Sequence, residues 1–449
     1  MQPYGEAAVQ SSIATELDFA PTSKRQILTA ASASILGFAL DLFDLYLLLY
    51  VAPVIGKLFF PSESPTLSLA AVYASFAVSL LMRPIGSALF GSYGDRNGRK
   101  AAMLFAFVGV GISTAAFGFL PTIAQAGETG TILFLLLRLV QGVFVGGVVA
   151  STHTIATETV PPSWRGSMSG LIGGGSAAVG ALFASIVFWV NSYIFPGDAF
   201  EVWGWRCMFF SGILSAVLGF LVFNALEETP FFKKLEHKSD PSAAKARAPL
   251  RTLFSPEYRA ILFTNLLVTC GAGVAYYLTS GYMPTFIKVV NRVPYGDAAA
   301  ILIGCSISGF LGSLIAGHVS TVIGRKPAMI IFGLATAVTM PLSYVALGAT
   351  QDLMAVAVLA IAITFLGNMP LGPVLIFLNE RFPTRIRASG TGLSWNVGFA
   401  FGGTMPTFVS LLSKGIDQVP ASLAMFLFSG SVLFLIGAFV IPETKGKFQ

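Results

Sequence analysis

The chain of 449 residues is 55% hydrophobic and only 11% charged, with a mean hydropathy of +0.77. A water-soluble globular chain carries roughly 25% charged residues, so this one cannot clothe a folded surface in polar groups, and the bilayer is its expected solvent. The formal charge of +6 is no nucleic-acid signal, because the basic residues sit between apolar segments; Cys207, Cys270 and Cys305 form no CxxC pair, and His153, His237 and His318 are too scattered for a metal cluster.

The chain opens on a polar tail ending at Lys24 and Arg25, without the basic start and apolar core of a cleaved signal peptide. Twelve apolar segments follow, near 28–51, 68–92, 100–121, 131–158, 165–192, 205–226, 258–286, 297–321, 326–348, 353–380, 386–413 and 418–441. A membrane-spanning helix needs about 20 apolar residues, and the Gly and Pro inside many of these segments are tolerated in membrane helices. The first segment carries Asp41 and Asp44, three apart and so on one broad helix face. Arg83 precedes Pro84 in the second segment, and the charged turn "GSYGDRNGRK" (91–100) follows it. The fourth holds Arg138, in "RLVQG", and His153; the Gly-rich "SGLIGGGSAAVGALFAS" (169–185) makes the fifth a close-packing helix. Residues 227–257, rich in Lys, Arg, Pro and Ser, read as a cytoplasmic linker. Beyond it, Asn265, Tyr276, Tyr277, Asn368, Trp395 and Asn396 offer neutral donors and aromatic faces.

The expected fold is an all-α membrane protein with twelve transmembrane helices in two six-helix bundles. Its parts are a tail (1–27), one bundle (28–226), the linker (227–257), a second bundle (258–441) and a short tail (442–449). With both termini cytoplasmic, twenty of the 27 basic residues fall on the cytoplasmic side and five (Lys57, Arg206, Lys288, Arg292, Lys414) on the other. That is the positive-inside bias. The charged turn recurs: Gly91, Gly98, Arg99 and Lys100 match Gly317, Gly324, Arg325 and Lys326, at an offset of 226. "ETVPPSWRG" (158–166) and "ERFPTRIRA" (380–388) match at an offset of 222. Two matches near one offset indicate duplication, and paired six-helix repeats are a transporter architecture with a site between the halves.

"GSYGDRNGRK" together with "RLVQG" resembles the major facilitator superfamily. "LDLFDLYLLLY" (40–50), the stretch 56–87, "WGWRCMFF" (203–210) and "EETPFF" (227–232) resemble its metabolite:proton symporter branch, which contains dicarboxylate, citrate and osmoprotectant carriers. The resemblance implies proton-coupled symport of a small organic acid by alternating access, in a bacterial inner membrane, with no cofactor, no nucleic-acid partner and a monomeric state. Relatives carry acidic residues at both positions matching Asp41 and Asp44.

Ionisable groups inside a span cost about 2.5–3.5 kcal/mol each on insertion scales, which makes them the sharpest candidates. Asp41 and Asp44 resist joint ionisation in low dielectric and are candidate proton carriers. Arg138 is a candidate coupling residue or anion ligand, and His153 a candidate proton site, each set against a purely structural role. Substrate candidates are Arg83, Arg138, Tyr276, Tyr277 and Asn396. Asp95, Arg96, Arg99, Glu158, Arg165, Arg325, Glu380 and Arg387 are expected to gate the cytoplasmic end. Many relatives have Glu after the paired glycines, where this chain has Val148, so their substrate preference does not transfer directly. A zwitterionic osmolyte such as betaine or proline is the alternative substrate, drug efflux a third, and a transporter-derived sensor the alternative of another class. No Walker motif, HExxH or GxSxG appears, so neither ATP-driven transport nor catalysis is expected.

Overall fold

The computed structural model describes residues 24–97, 99–225 and 253–447; the side chains of 24–27, 29, 30, 33, 87, 88, 91–103, 147–159, 222–225, 384, 385 and 388 fall outside that description. Most of the 227–257 linker lies outside the described residues too. Among the described residues all regular structure is helical.

Among the described residues twelve long helical segments follow in order. They are α1 (Lys24–Phe59), α2 (Pro65–Asn97), α3 (Arg99–Phe117) and α4 (Glu128–Thr159). Then come α5 (Arg165–Gly170, Leu171–Gly175, Ser176–Ile194) and α6 (Phe200–Gly204, Trp205–Phe210, Gly212–Ala225). After the linker come α7 (Pro256–Tyr276, Tyr277–Gly281, Met283–Val289), α8 (Tyr295–Ile323) and α9 (Arg325–Ala349). Last are α10 (Leu353–Asn368, Leu371–Glu380), α11 (Thr384–Leu412) and α12 (Val419–Val440). Ten of these spans are long and apolar enough to cross a membrane by composition. The other two are α3, whose apolar part is the shorter Leu104–Phe117, and α11. Helix α1 starts at Lys24 rather than 28 and runs on to Phe59, because hydropathy marks only the part inside the hydrocarbon while helical hydrogen bonding continues past it.

The fold is the all-α arrangement of two six-helix bundles. In the first, α1 pairs with α5, α2 with α4 and α3 with α6; in the second, α7 pairs with α11, α8 with α10 and α9 with α12. The same pairing recurs in the same order, so the sequence repeat is also a packing repeat. The bundles meet where α2 lies on α11 and α5 on α8. Apolar side chains cover the outside as well as filling the core, and a few charges lie within. Phe119, Leu342 and Val338 are exposed, while Asp41, Asp44 and Arg138 are buried, the pattern expected with lipid outside and a polar seam inside.

Both ends of that seam are closed. At one end α5 and α8 touch backbone to backbone: a Cβ on Gly317 would strike the carbonyl of Gly166 and the backbone of Gly170. Ser169 Oγ donates to the carbonyl of Gly372 (2.7 Å) and accepts from the Ile376 amide (2.9 Å). Gly317→Val is therefore expected to hold this end open. In a background without the native cysteines, a cysteine at position 169 should label several-fold faster with a membrane-impermeant maleimide; unchanged labelling would refute the close contact. At the opposite end Lys57 Nζ meets Glu201 Oε1 at 2.7 Å, and Tyr295 OH of the other bundle donates to the same oxygen at 3.3 Å. Tyr73 OH donates to Thr285 Oγ1 (2.8 Å), and its ring stacks on Tyr282.

The turn between α8 and α9 shows why its glycine is there. Gly324 has φ +106°, a conformation that side chains other than glycine rarely adopt. The next two amides, of Arg325 and Lys326, each donate to the Glu443 carboxylate at 3.0 Å. An anion at a helix N-terminus is favourable. Burial pushes the Glu443 carboxyl up, but the amides of Lys445, Arg325, Lys326 and Thr444 outweigh it and leave it below the usual glutamate range. A depressed folded-state value contributes stability above the unfolded pKa, about 4.3, and that stability is lost as pH falls through the folded value. Glu443→Gln is expected to lower the melting temperature at pH 7, with the gap to wild type shrinking below pH 4. A gap independent of pH would count against this role.

Candidate functional site

The two aspartates of α1 go separate ways. Asp41 faces α2, where Arg83 Nη1 lies 3.6 Å from its Oδ2, and neither carboxyl oxygen of Asp41 has a hydrogen bond. The contact is one of charge rather than of directed bonding, so it is easily exchanged for a better-placed partner. Asp44 faces α6 and α3. It accepts from Ser215 Oγ (3.2 and 3.1 Å) and from Thr114. Thr114 accepts from Gln141 Nε2 (2.7 Å), and Gln141 Oε1 accepts from Arg138 Nη1 (2.6 Å). Arg138 thus communicates with Asp44 through two neutral side chains. Its Nε and Nη2 lack hydrogen-bond partners, and its guanidinium lies over the Phe117 and Phe134 rings at 4.6 and 5.6 Å. Cation–π contact partly replaces hydration for a charge held that deep.

Arg83 also faces a cavity between the bundles. Its walls are Phe38, Leu42, Leu80, Gly173, Ala177, Tyr276, Tyr277, Leu371, Trp395, Asn396, Phe399 and Ala400. Trp395 stacks on Phe399 (centroids 4.1 Å apart, planes at 14°), with Phe38 edge-on to Trp395. Local backbone shapes this wall. The π-turn Leu171–Gly175 of α5 presents Gly173, and the π-turn Tyr277–Gly281 of α7 presents Tyr277. Such turns widen a helix and recur at functional sites. The centre of a water-sized sphere has about 20 Å³ to move in, so a solute larger than water enters only when the walls part.

A second cavity lies toward the Lys57–Glu201 end. It is lined by Tyr46, Tyr50, Ala178, Ala181, Ser280, Met283, Leu302, Cys305, Ser306, Gly309, Thr364 and Asn368. Tyr46 OH and Tyr276 OH, one from each cavity's wall, are 2.7 Å apart.

Four of the substrate candidates, Arg83, Tyr276, Tyr277 and Asn396, share the first cavity, whereas Arg138 is not among its lining. Helices α2, α3 and α4 carry Asp95, Arg96, Arg99, His153 and Glu158, whose side chains lie outside the described residues. Arg165 opens α5 and is half-buried. Glu380 takes Arg325 as a two-point partner (Nη2–Oε1 3.1 Å, Nε–Oε2 3.2 Å) and accepts from Thr444 Oγ1 (2.7 Å). Arg387 Nε donates to the carbonyls of Asn379 and Phe382. Asn265 accepts from Arg381 near the same end, away from the cavity. The sequence reading missed Gln141, Thr114, Ser215 and Tyr46. Only Gln141 carried a signal, three residues after Arg138 on a helix.

Comparison with known proteins bears on the family and the fold. A family model described as Major Facilitator Superfamily matches residues 26–405. The inner membrane metabolite transport protein YhjE of Escherichia coli is 28% identical, over 98% of this chain and 99% of the relative. The proline/betaine transporter of Salmonella typhimurium is also 28% identical, over 94% and 84%. Among solved structures, the proton:xylose symporter XylE bound to 6-bromo-6-deoxy-D-glucose superposes with a TM-score of 0.71 at 19% identity, covering 94% of this chain and 97% of that one. At that identity the likeness is one of fold.

Proposed function

This chain belongs to the Major Facilitator Superfamily, and from that premise we propose that it is a monomeric, proton-coupled symporter of a small organic acid, working by alternating access. The observation that carries the reading is the position of Arg83, which touches Asp41 on one side and faces the inter-bundle cavity on the other. With Asp41 ionised, the guanidinium is held by it. Protonation of Asp41 frees the guanidinium for the carboxylate of a solute, whose fork it fits. Loss of the proton to the cytoplasm restores the aspartate as competitor and expels the solute. Proton and solute then move together because each makes room for the other. Asp44, joined to Arg138 through Thr114 and Gln141, is the second candidate proton site in this scheme, and Arg138 acts through that relay.

The end closed by Gly166, Gly317 and the Arg325–Glu380 pair is the cytoplasmic one in this proposal, on the strength of the basic-residue bias. Both termini are then cytoplasmic, in a bacterial inner membrane. A monoanion moving with one proton carries no net charge and responds only to the pH gradient. The test is uptake by proteoliposomes of labelled mono-, di- and tricarboxylates, aromatic acids and betaines, with and without an inward pH gradient. Gradient-dependent accumulation of an acid supports the reading; accumulation of none refutes it.

One observation favours a second reading, a zwitterionic osmolyte. Trp395, Phe399, Phe38, Tyr276 and Tyr277 surround the position beside Arg83, and aromatic faces attract a quaternary ammonium while the guanidinium takes the carboxylate. The relatives named as proline/betaine transporters point the same way. Uptake of betaine in preference to an uncharged-tail acid of equal size would select this reading.

A further inference from the structure

The second cavity carries no charged residue in its lining, yet it is built from hydrogen-bonding groups: Tyr46, Tyr50, Ser280, Ser306, Thr364 and Asn368. All but Ser280 are almost wholly buried. Polar groups in a bundle interior commonly tie helices together, and some do so here: Asn368 Nδ2 donates to Ser280 Oγ at 2.9 Å, and Tyr50 OH is 2.6 Å from Ser185 Oγ. Helix-tying alone does not explain why groups from α1, α7, α8 and α10 surround a space instead of closing on one another. The cavity lies just beyond the Arg83 site on the same helices, one turn further along α7, and Ala177 and Ala178 are adjacent residues in the two walls. The hydroxyl pair Tyr46–Tyr276 joins a wall of one to a wall of the other, each hydroxyl the residue's only polar side-chain group. A bond between neutral hydroxyls is readily replaced by a bond from each to a solute.

We propose that Tyr46 and Tyr276 form a removable partition, and that the cavity behind it is a subsite for an uncharged hydroxyl or carbonyl group at the far end of the transported solute. It rests on the reading above that Arg83 holds the solute's carboxylate. The site therefore selects acids with a distal uncharged hydrogen-bonding group over acids with a purely alkyl tail: the Tyr46 and Tyr276 hydroxyls, once parted, lose each other and an alkyl tail returns nothing, while the Thr364 and Ser306 hydroxyls, which donate to the carbonyls of Ala360 and Leu302, offer free lone pairs to a solute hydroxyl.

The experiment compares 4-hydroxybutyrate with pentanoate, which differ by hydroxyl against methyl at one end. Uptake by the full-length protein is measured in proteoliposomes under an inward pH gradient. Wild type is expected to show a KM at least tenfold lower for the hydroxy acid. Thr364→Val should cut that preference to about threefold or less, while leaving kcat/KM for pentanoate within about twofold. Ser306→Ala serves as the second variant should Thr364→Val fail to insert. Equal KM values for the two acids in wild type, or variants that slow both acids alike, would overturn the subsite while leaving the symport reading intact. Uptake of neither acid by wild type would also overturn the subsite, while the carboxylate reading is decided by the wider panel of acids above.

Discussion

Replacing Asp41 with asparagine is expected to abolish accumulation driven by a pH gradient while leaving solute exchange in place. Asparagine resembles the protonated carboxyl in size and lacks its charge, so Arg83 stays available to the solute at every pH. Binding and the rocking of the bundles then continue, but nothing links them to proton movement. One pH unit corresponds to about 1.4 kcal/mol, so one-to-one electroneutral symport should concentrate the solute about tenfold under an inward gradient of one unit. The variant should reach the level seen with the gradient collapsed, and counterflow of labelled solute should persist. Asp44→Asn is the informative companion. Asp44 already has Ser215 and Thr114 as partners, so its loss should reduce the rate without uncoupling. If Asp41→Asn still accumulates tenfold and Asp44→Asn does not, the coupling site is the Asp44–Arg138 relay.

Arg83→Gln is expected to give two separable defects. A hydrogen bond to a charged group contributes about 1.5–3 kcal/mol, so the affinity for an acid should fall roughly 10- to 150-fold. The variant also leaves Asp41 buried opposite a neutral group, and breaking a buried pair from one side costs about 3–5 kcal/mol. The melting temperature in detergent should therefore drop sharply. The double variant Asp41→Asn with Arg83→Gln removes the orphaned charge and should recover most of the thermal stability. It should recover none of the affinity. Recovery of both would make the ion pair purely structural and move the anion site elsewhere; recovery of neither would mean that the Arg83 side chain supports the fold through contacts other than Asp41.

Much of the architecture was legible because the determinants are local. A run of apolar residues either spans the hydrocarbon or does not, and each helix satisfies its own backbone in doing so. The Gly–Arg–Lys frame marks a turn because Gly324 needs its positive φ and the following amides need an anion. Within one helix the spacing of Arg138 and Gln141 carried the same kind of local signal, although the reading passed over Gln141. The sequence fell short where two helices meet. Asp41 and Asp44 share a broad face, but three residues at 3.6 per turn leave them about 60° apart around the axis. That angle is enough for one to meet Arg83 of α2 and the other Ser215 of α6.

The sequence by itself determined that this chain lives in a membrane, folds as two related bundles and buries a few costly charges, because hydropathy, internal repetition and charge placement need no knowledge of neighbours. Only the tertiary structure decided which charge faces which: Arg83 on Asp41 and the cavity, Arg138 linked to Asp44 through two neutral residues, Tyr46 against Tyr276 from 230 positions away. The physical reason is that such partners are fixed by how packed helices are rotated and offset against one another, and small residues such as Gly166 and Gly317 set that offset by how closely two backbones can approach.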